Sequence, residues 1–191
     1  MTAHTPPPPS PQPSVLRTGG SRLIVSAVGL TCAIALVTVM LQAPPGRAAG
    51  LAGIAVGPAV LAWVLYGHPH LRIAPHGLWI ANPLRSHEVP WPAITGIDER
   101  LGLSVERADG RPIAAWALPA AGRRVVRRAG ARPTVTARTS PQIAAVHEAR
   151  AASATAPAAV PGTGVESRWN VPNLVLLALA SGWFAIGLAT L

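Results

Sequence analysis

Three histidines crowd one short stretch: His68, His70 and His76. Imidazoles so placed could hold a metal, but such sites recruit Cys, Asp or Glu at recognisable intervals, and none joins them. With Pro69 and Gly67 among them, they read instead as interfacial turn residues. Asp98-Glu99 is the one adjacent pair among seven acids. Neighbouring strand residues point to opposite faces, so the pair makes no acid/base dyad. The chain has no GxSxG elbow, phosphate-binding Walker loop, HExxH or GxGxxG. Its single cysteine, Cys32, excludes an intrachain disulfide and a cysteine-built zinc site. No catalytic, cofactor-binding or metal residue is assigned, and an enzyme is not expected. What remains is charge. Arg123, Arg124, Arg127 and Arg128 share one face if their stretch is helical, with Val125 and Val126 between. Such a face suits an anionic leaflet or an acidic partner; a solvated loop kept on the cytoplasmic side accounts for it equally well.

The elements that carry these residues are mostly apolar. Half of the 191 residues are hydrophobic, the mean hydropathy is +0.37, and only 12% are charged. That is membrane-protein composition. All sixteen basic residues are arginine and the net charge is +9. Arginine retained beside membrane spans explains this before nucleic acid does, and the arginines are not interleaved with exposed aromatics as in single-strand readers. Residues 1–22 form a Pro-rich tail, read as an unstructured leader. Leu23 to Leu41 is an almost unbroken apolar run, long enough at 1.5 Å per residue to cross a bilayer core and too long for a signal peptide. Pro44-Pro45-Gly46-Arg47 turns the chain into a second run ending near Trp63 and Tyr66, so residues 23–66 make a transmembrane hairpin. Gly53 and Gly57 form a GxxxG, which suits packing within that hairpin or dimerisation. Residues 153–170 read as a linker and 171–191 as a C-terminal span.

Between the spans the pattern turns to β. Short runs at Leu71–Ala74, Leu78–Asn82 and His87–Trp91 are separated by Pro75-His76-Gly77 and Pro83–Ser86. Asp109-Gly110 then predicts a two-residue hairpin. That register pairs Val105 with Ala114, Leu103 with Trp116 and Leu101 with Leu118, all facing inward, with Ser104 and Glu106 outside. Trp79, Trp91 and Trp116 read as core. Ser140-Pro141 opens a helix with Ser as cap and Pro at the first position, and Ile143 and Val146 give it an apolar stripe.

The pattern Pro75-His76-Gly77-Leu78, Asn82, Val89-Pro90-Trp91-Pro92-Ala93-Ile94, Leu101-x-Leu103 and Asp109-Gly110-Arg111 resembles the bacterial pleckstrin-homology (PH)-like domain. The type most similar is that of actinobacterial membrane proteins of the low-molecular-weight protein antigen 6 family. The resemblance covers roughly Leu23 to Leu118. It implies a strongly bent β-barrel closed by a C-terminal helix, here over residues 67–152, and no catalytic residues. Eukaryotic relatives grip inositol phosphates at the first hairpin; only Arg72 and Arg85 flank that turn here. The expectation is a non-catalytic, multi-pass inner-membrane protein. Its cytoplasmic PH-like domain binds a partner protein or the membrane surface, or a second copy. No nucleic acid, cofactor or small-molecule substrate is expected. The alternatives are an accessory subunit or regulator of a membrane enzyme or transporter, and a small enzyme using His68, His70 or His76. Thirteen arginines lie between Gly67 and Arg168 and only Arg47 in the helix-hairpin loop. That asymmetry places the N-terminus and β domain inside, and the C-terminus outside.

Overall fold

A computed structural model describes residues 14–17, 19–119, 124–126, 134–136, 140–155 and 164–191. Three helices are each long and apolar enough to cross a membrane: α1 (Gly19–Gln42), α2 (Pro45–Ala62, continued by a wide π turn, Trp63–Gly67) and α4 (Val171–Ala189). The helix α2 lies between the other two. It runs antiparallel to α4, since Gly50 near its start meets Thr190 near the end of α4. Glycine is what lets these two helices close: a Cβ at Gly53 would strike the Trp183 carbonyl, and one at Gly57 would sit 3.0 Å from Phe184. The GxxxG therefore serves α4 and not the α1–α2 hairpin. Trp183 adds a hydrogen bond from Nε1 to the Ala49 carbonyl, 2.8 Å. The outer faces, Leu30, Ile34 and Leu41 on α1 and Leu179 and Ile186 on α4, stay exposed.

The β domain sits at one end of this bundle as two antiparallel sheets. The first has the order β1-β2-β3-β4-β10, built from Ser14–Leu16, His70–Ala74, Gly77–Ala81, Arg85–Pro90 and Glu166–Trp169. The second is β5-β6-β7, from Ile94–Asp98, Gly102–Arg107 and Ile113–Pro119. Two short strands, β8 (Arg124–Val126) and β9 (Thr134–Thr136), pair separately. Alternation fills the core as the pleat requires: Leu71 and Ile73, Leu78 and Ile80, Val89, Leu103 and Val105, and Ile113 and Ala115 all face inward. The helix α3 (Pro141–Thr155) closes the open side with Ile143 and Val146 fully buried. Its start is capped as expected, with the Ser140 Oγ accepting from the Ile143 N–H at 3.3 Å. From its far end Arg150 donates to the Ile94 and Thr95 carbonyls, covering the free edge of β5.

Three expectations are corrected. The β6–β7 register is one residue away from the two-residue turn: Val105 pairs with Ile113 and Ser104 with Ala114. Asp109 Oδ1 accepts from the Arg111 N–H, Arg107 Nε donates to the Arg111 carbonyl, and Pro112 has no N–H to give, so the loop widens. Gly110 still takes the positive φ, 74°. The slip turns Trp116 and Ala114 to the outer face with Ser104 and Glu106, leaving Trp116 52% and Leu101 95% exposed. Gly102, at φ 114°, absorbs the bulge that brings Leu118 back inside. Trp91 is buried as expected, with its Nε1 on the Pro75 carbonyl, whereas Trp79 is only half-buried. Second, Ser14–Leu16 is not leader but a strand on β2; residues 1–13 lie outside the described ones. Third, the stretch read as linker contains β10, which pairs with β4 and lays Trp169 under the Arg85 guanidinium, 3.6 Å from the ring centre.

Candidate functional site

Where the β domain meets the helix bundle, backbone chemistry dictates the contact. The Leu65 carbonyl lies in the closing π turn of the α2 segment, where the last carbonyls of a helix find no donor further along it. The orphan carbonyl is taken by the indole of Trp116, Nε1 to O 2.6 Å, reaching across from β7. Trp116 is itself fixed by Asn82, whose carboxamide accepts from the Trp116 N–H at 2.9 Å and donates to the Ala114 carbonyl at 2.8 Å. On the other side of the junction Asn170 donates Nδ2 to His68 Nε2, 2.6 Å, and its N–H to the Leu84 carbonyl, 2.8 Å. Asn173, almost wholly buried, donates to the Pro83 carbonyl at 2.8 Å. The domain is thus clamped on the bundle end at two sides and does not hang from a tether.

Between the outer face of β6–β7 and the bundle lies a half-open groove of about 720 Å3. Its walls are the first turn of α1 (Gly20, Ser21, Ile24), the end of the α2 segment (Leu65, Tyr66) and the sheet face around Ala114 and Trp116, with Leu101 at the edge. Asp98 and Glu106 are its acidic members. A smaller depression of about 370 Å3, lined by Val15, Arg17, Gly19 and Arg22, adjoins the same helical turn. The groove's volume is within the roughly 300 to 1,000 Å3 of small-molecule sites, and its lining is mostly apolar as theirs is.

The histidines are dispersed over this region. His68 lies in the junction, and its imidazole is held below its ordinary value by burial, then by His70 and Arg17. His70 Nδ1 is 2.9 Å from the His68 carbonyl, and His76, in the β2–β3 turn, pairs with Glu88 at 3.2 Å. Among the described residues no three His, Cys, Asp or Glu side chains gather as a metal site. Asp98 Oδ1 caps the Arg100 N–H, and Glu99 turns to His147, 2.6 Å. Of the arginine quartet, Arg124 begins β8 opposite Thr136, a strand where a helical face was expected; Arg123, Arg127 and Arg128 lie outside the described residues. Sequence reasoning missed the groove because it placed Trp116 inside.

Residues 68–134 match the family model described as the bacterial PH domain. No curated protein and no solved structure matches the chain.

Proposed function

We propose, from a chain that carries a bacterial PH domain beside three helices fit to cross a membrane, a non-catalytic multi-pass protein of the inner membrane. Its β domain faces the cytoplasm and binds an acidic protein surface or the anionic leaflet. The subtype proposed is the low-molecular-weight protein antigen 6 type of actinobacteria. The observation that carries the reading is the clamp: Trp116 on Leu65 and Asn173 on Pro83 hold the domain against one end of the bundle. A module held there stays within reach of headgroups and of neighbouring membrane proteins. The PH domain supports binding over catalysis, since such domains are typically binding modules. The arginine-rich segment containing Arg123, Arg124, Arg127 and Arg128 supplies the charge, with about 1 kcal/mol available from each arginine near an anionic leaflet.

Orientation is tested by reporters fused after Asp109 and at the C-terminus; activity of the first only inside the cell and of the second only outside is expected, and the reverse pattern overturns the topology. Binding is tested by crosslinked pull-down from membranes with the four arginines changed to Gln. A partner lost in that variant, and lost at high salt as exposed charges are screened over about 8 to 10 Å, identifies a protein ligand. Unchanged capture in the variant removes the quartet from the binding surface.

A further inference from the structure

We infer that the groove under β6–β7 holds one acyl chain of an anionic phospholipid, with its phosphate drawn to Arg17 and Arg22. The inference rests on the helices crossing a membrane, but not on which side the β domain faces.

An outward sheet face of a soluble domain is polar, yet here Ala114, Trp116 and the neighbouring Leu101 show apolar surface. That surface overhangs the first turn of α1 and the last turn of the α2 segment, which lie at the same end of the bundle. In a bilayer those turns mark the boundary between hydrocarbon and headgroups, so the groove opens at the level where acyl chains begin. Tyr66 and Trp116 line it, and both ring types favour that level.

Charge chooses the lipid class. Asp98 and Glu106 make the sheet side of the groove hostile to a phosphate. Arg17 and Arg22 flank the helical turn that supplies Gly20 and Ser21 to the groove, and they line the adjoining depression. Among the described residues neither forms an ion pair with a carboxylate. A headgroup there would face two cations, while its chain enters the apolar side. A segment of this chain or a second copy would need to bring its own acid to satisfy the same arginines, and residues 1–13 contain none.

The test is site-specific photocrosslinking in the full chain, in native membranes and in vesicles of mixed phosphatidylglycerol and phosphatidylcholine. Benzoylphenylalanine replaces Ala114, or in a second variant the more exposed Leu101, and adducts are identified by mass spectrometry. Leu179, on the outer face of α4, carries the probe as the reference. Phospholipid adducts at position 114 or 101, enriched in phosphatidylglycerol relative to those at position 179, are expected. A lone arginine near a headgroup supplies about a fivefold preference, so Arg17→Gln with Arg22→Gln should bring the enrichment down toward that seen at position 179. Lipid adducts at 179 with none at 114 or 101 overturn the inference while leaving the membrane reading intact. Peptide adducts from residues 1–13 or from a second copy overturn it as well. Absence of lipid at all three positions overturns the membrane reading on which it rests. Equal enrichment in the arginine variant rejects the headgroup assignment.

Discussion

The carboxamide of Asn82 lies in the register position of a missing strand beside Trp116. It accepts from the Trp116 N–H and donates to the Ala114 carbonyl, so one side chain finishes the edge of β7 as a backbone neighbour would. Because the Trp116 indole meanwhile holds Leu65, Asn82 connects the first sheet, the second sheet and the helix bundle.

Asn82→Ala should cost about 0.5–1.5 kcal/mol, the net worth of an ordinary hydrogen bond, since both of its bonds lie in partly solvated surroundings. Asn82→Asp keeps the acceptor for Trp116 but sets a carboxylate against the Ala114 carbonyl, and should be at least as harmful at neutral pH. Urea unfolding in detergent, followed by tryptophan fluorescence, checks both. Variants as stable as the wild type would show that the edge needs no cap.

Trp91 and Leu101 are opposite cases of large apolar residues. Trp91→Ala, which empties a core position, should destabilise by roughly 3–5 kcal/mol. Leu101→Ser should be nearly silent in the same assay, since Leu101 is 95% exposed. A comparable loss from both would mean that the β6–β7 face is buried against something else.

Gly53→Ala should loosen α2 from α4, because the added Cβ meets the Trp183 carbonyl, which cannot swing aside as a side chain can. Gly29→Ala on α1 meets nothing within 4 Å and should be tolerated. Disulfide trapping between Cys pairs placed on α2 and α4 reads this directly: the yield should fall in the first variant and hold in the second.

Acid should weaken the fold through His68 and His87. Both imidazoles lie below the ordinary 6.5, His68 through burial and then His70 and Arg17, His87 through burial and then Arg107 and Arg85. Above about pH 6.5 neither folded nor unfolded chain binds these protons, and their contribution is fully present. As the pH falls below that value the unfolded chain protonates first, so stability drops until the depressed folded values are passed. His68→Gln with His87→Gln should flatten the decline between about pH 7 and pH 5, and a slope equal to that of the wild type would remove both residues from the account.

Much of this was legible because the signals are long or local. An almost unbroken apolar run of nineteen residues, from Leu23 to Leu41, leaves little choice, and Ser140-Pro141 ahead of Ile143 and Val146 names a capped helix that docks by one stripe. The register of β6–β7 was not legible. Asp-Gly specifies a bend but not its width, which depended on where the Asp109 carboxylate and the Arg107 guanidinium found partners, and on Pro112. One residue of slip then reversed the face of Trp116 and hid the groove. The strands β1 and β10 were invisible for another reason: three or four residues carry no periodicity of their own, and their strand state comes wholly from the neighbours β2 and β4.

That placement of β1 has a consequence for biogenesis. Ser14 pairs with Ile73 and Leu16 with Leu71, yet the whole of α1 and α2 separates them in the chain. If α1 and α2 cross a membrane, as their length and apolarity allow, Ser14–Leu16 emerges first from the ribosome and must wait, unpaired, until both helices have entered and the chain has come back. Only if the hairpin inserts completely do the two strands meet on one side. In such a membrane the sheet is finished only after correct insertion, and a copy whose helices stall is left with an open edge on β2.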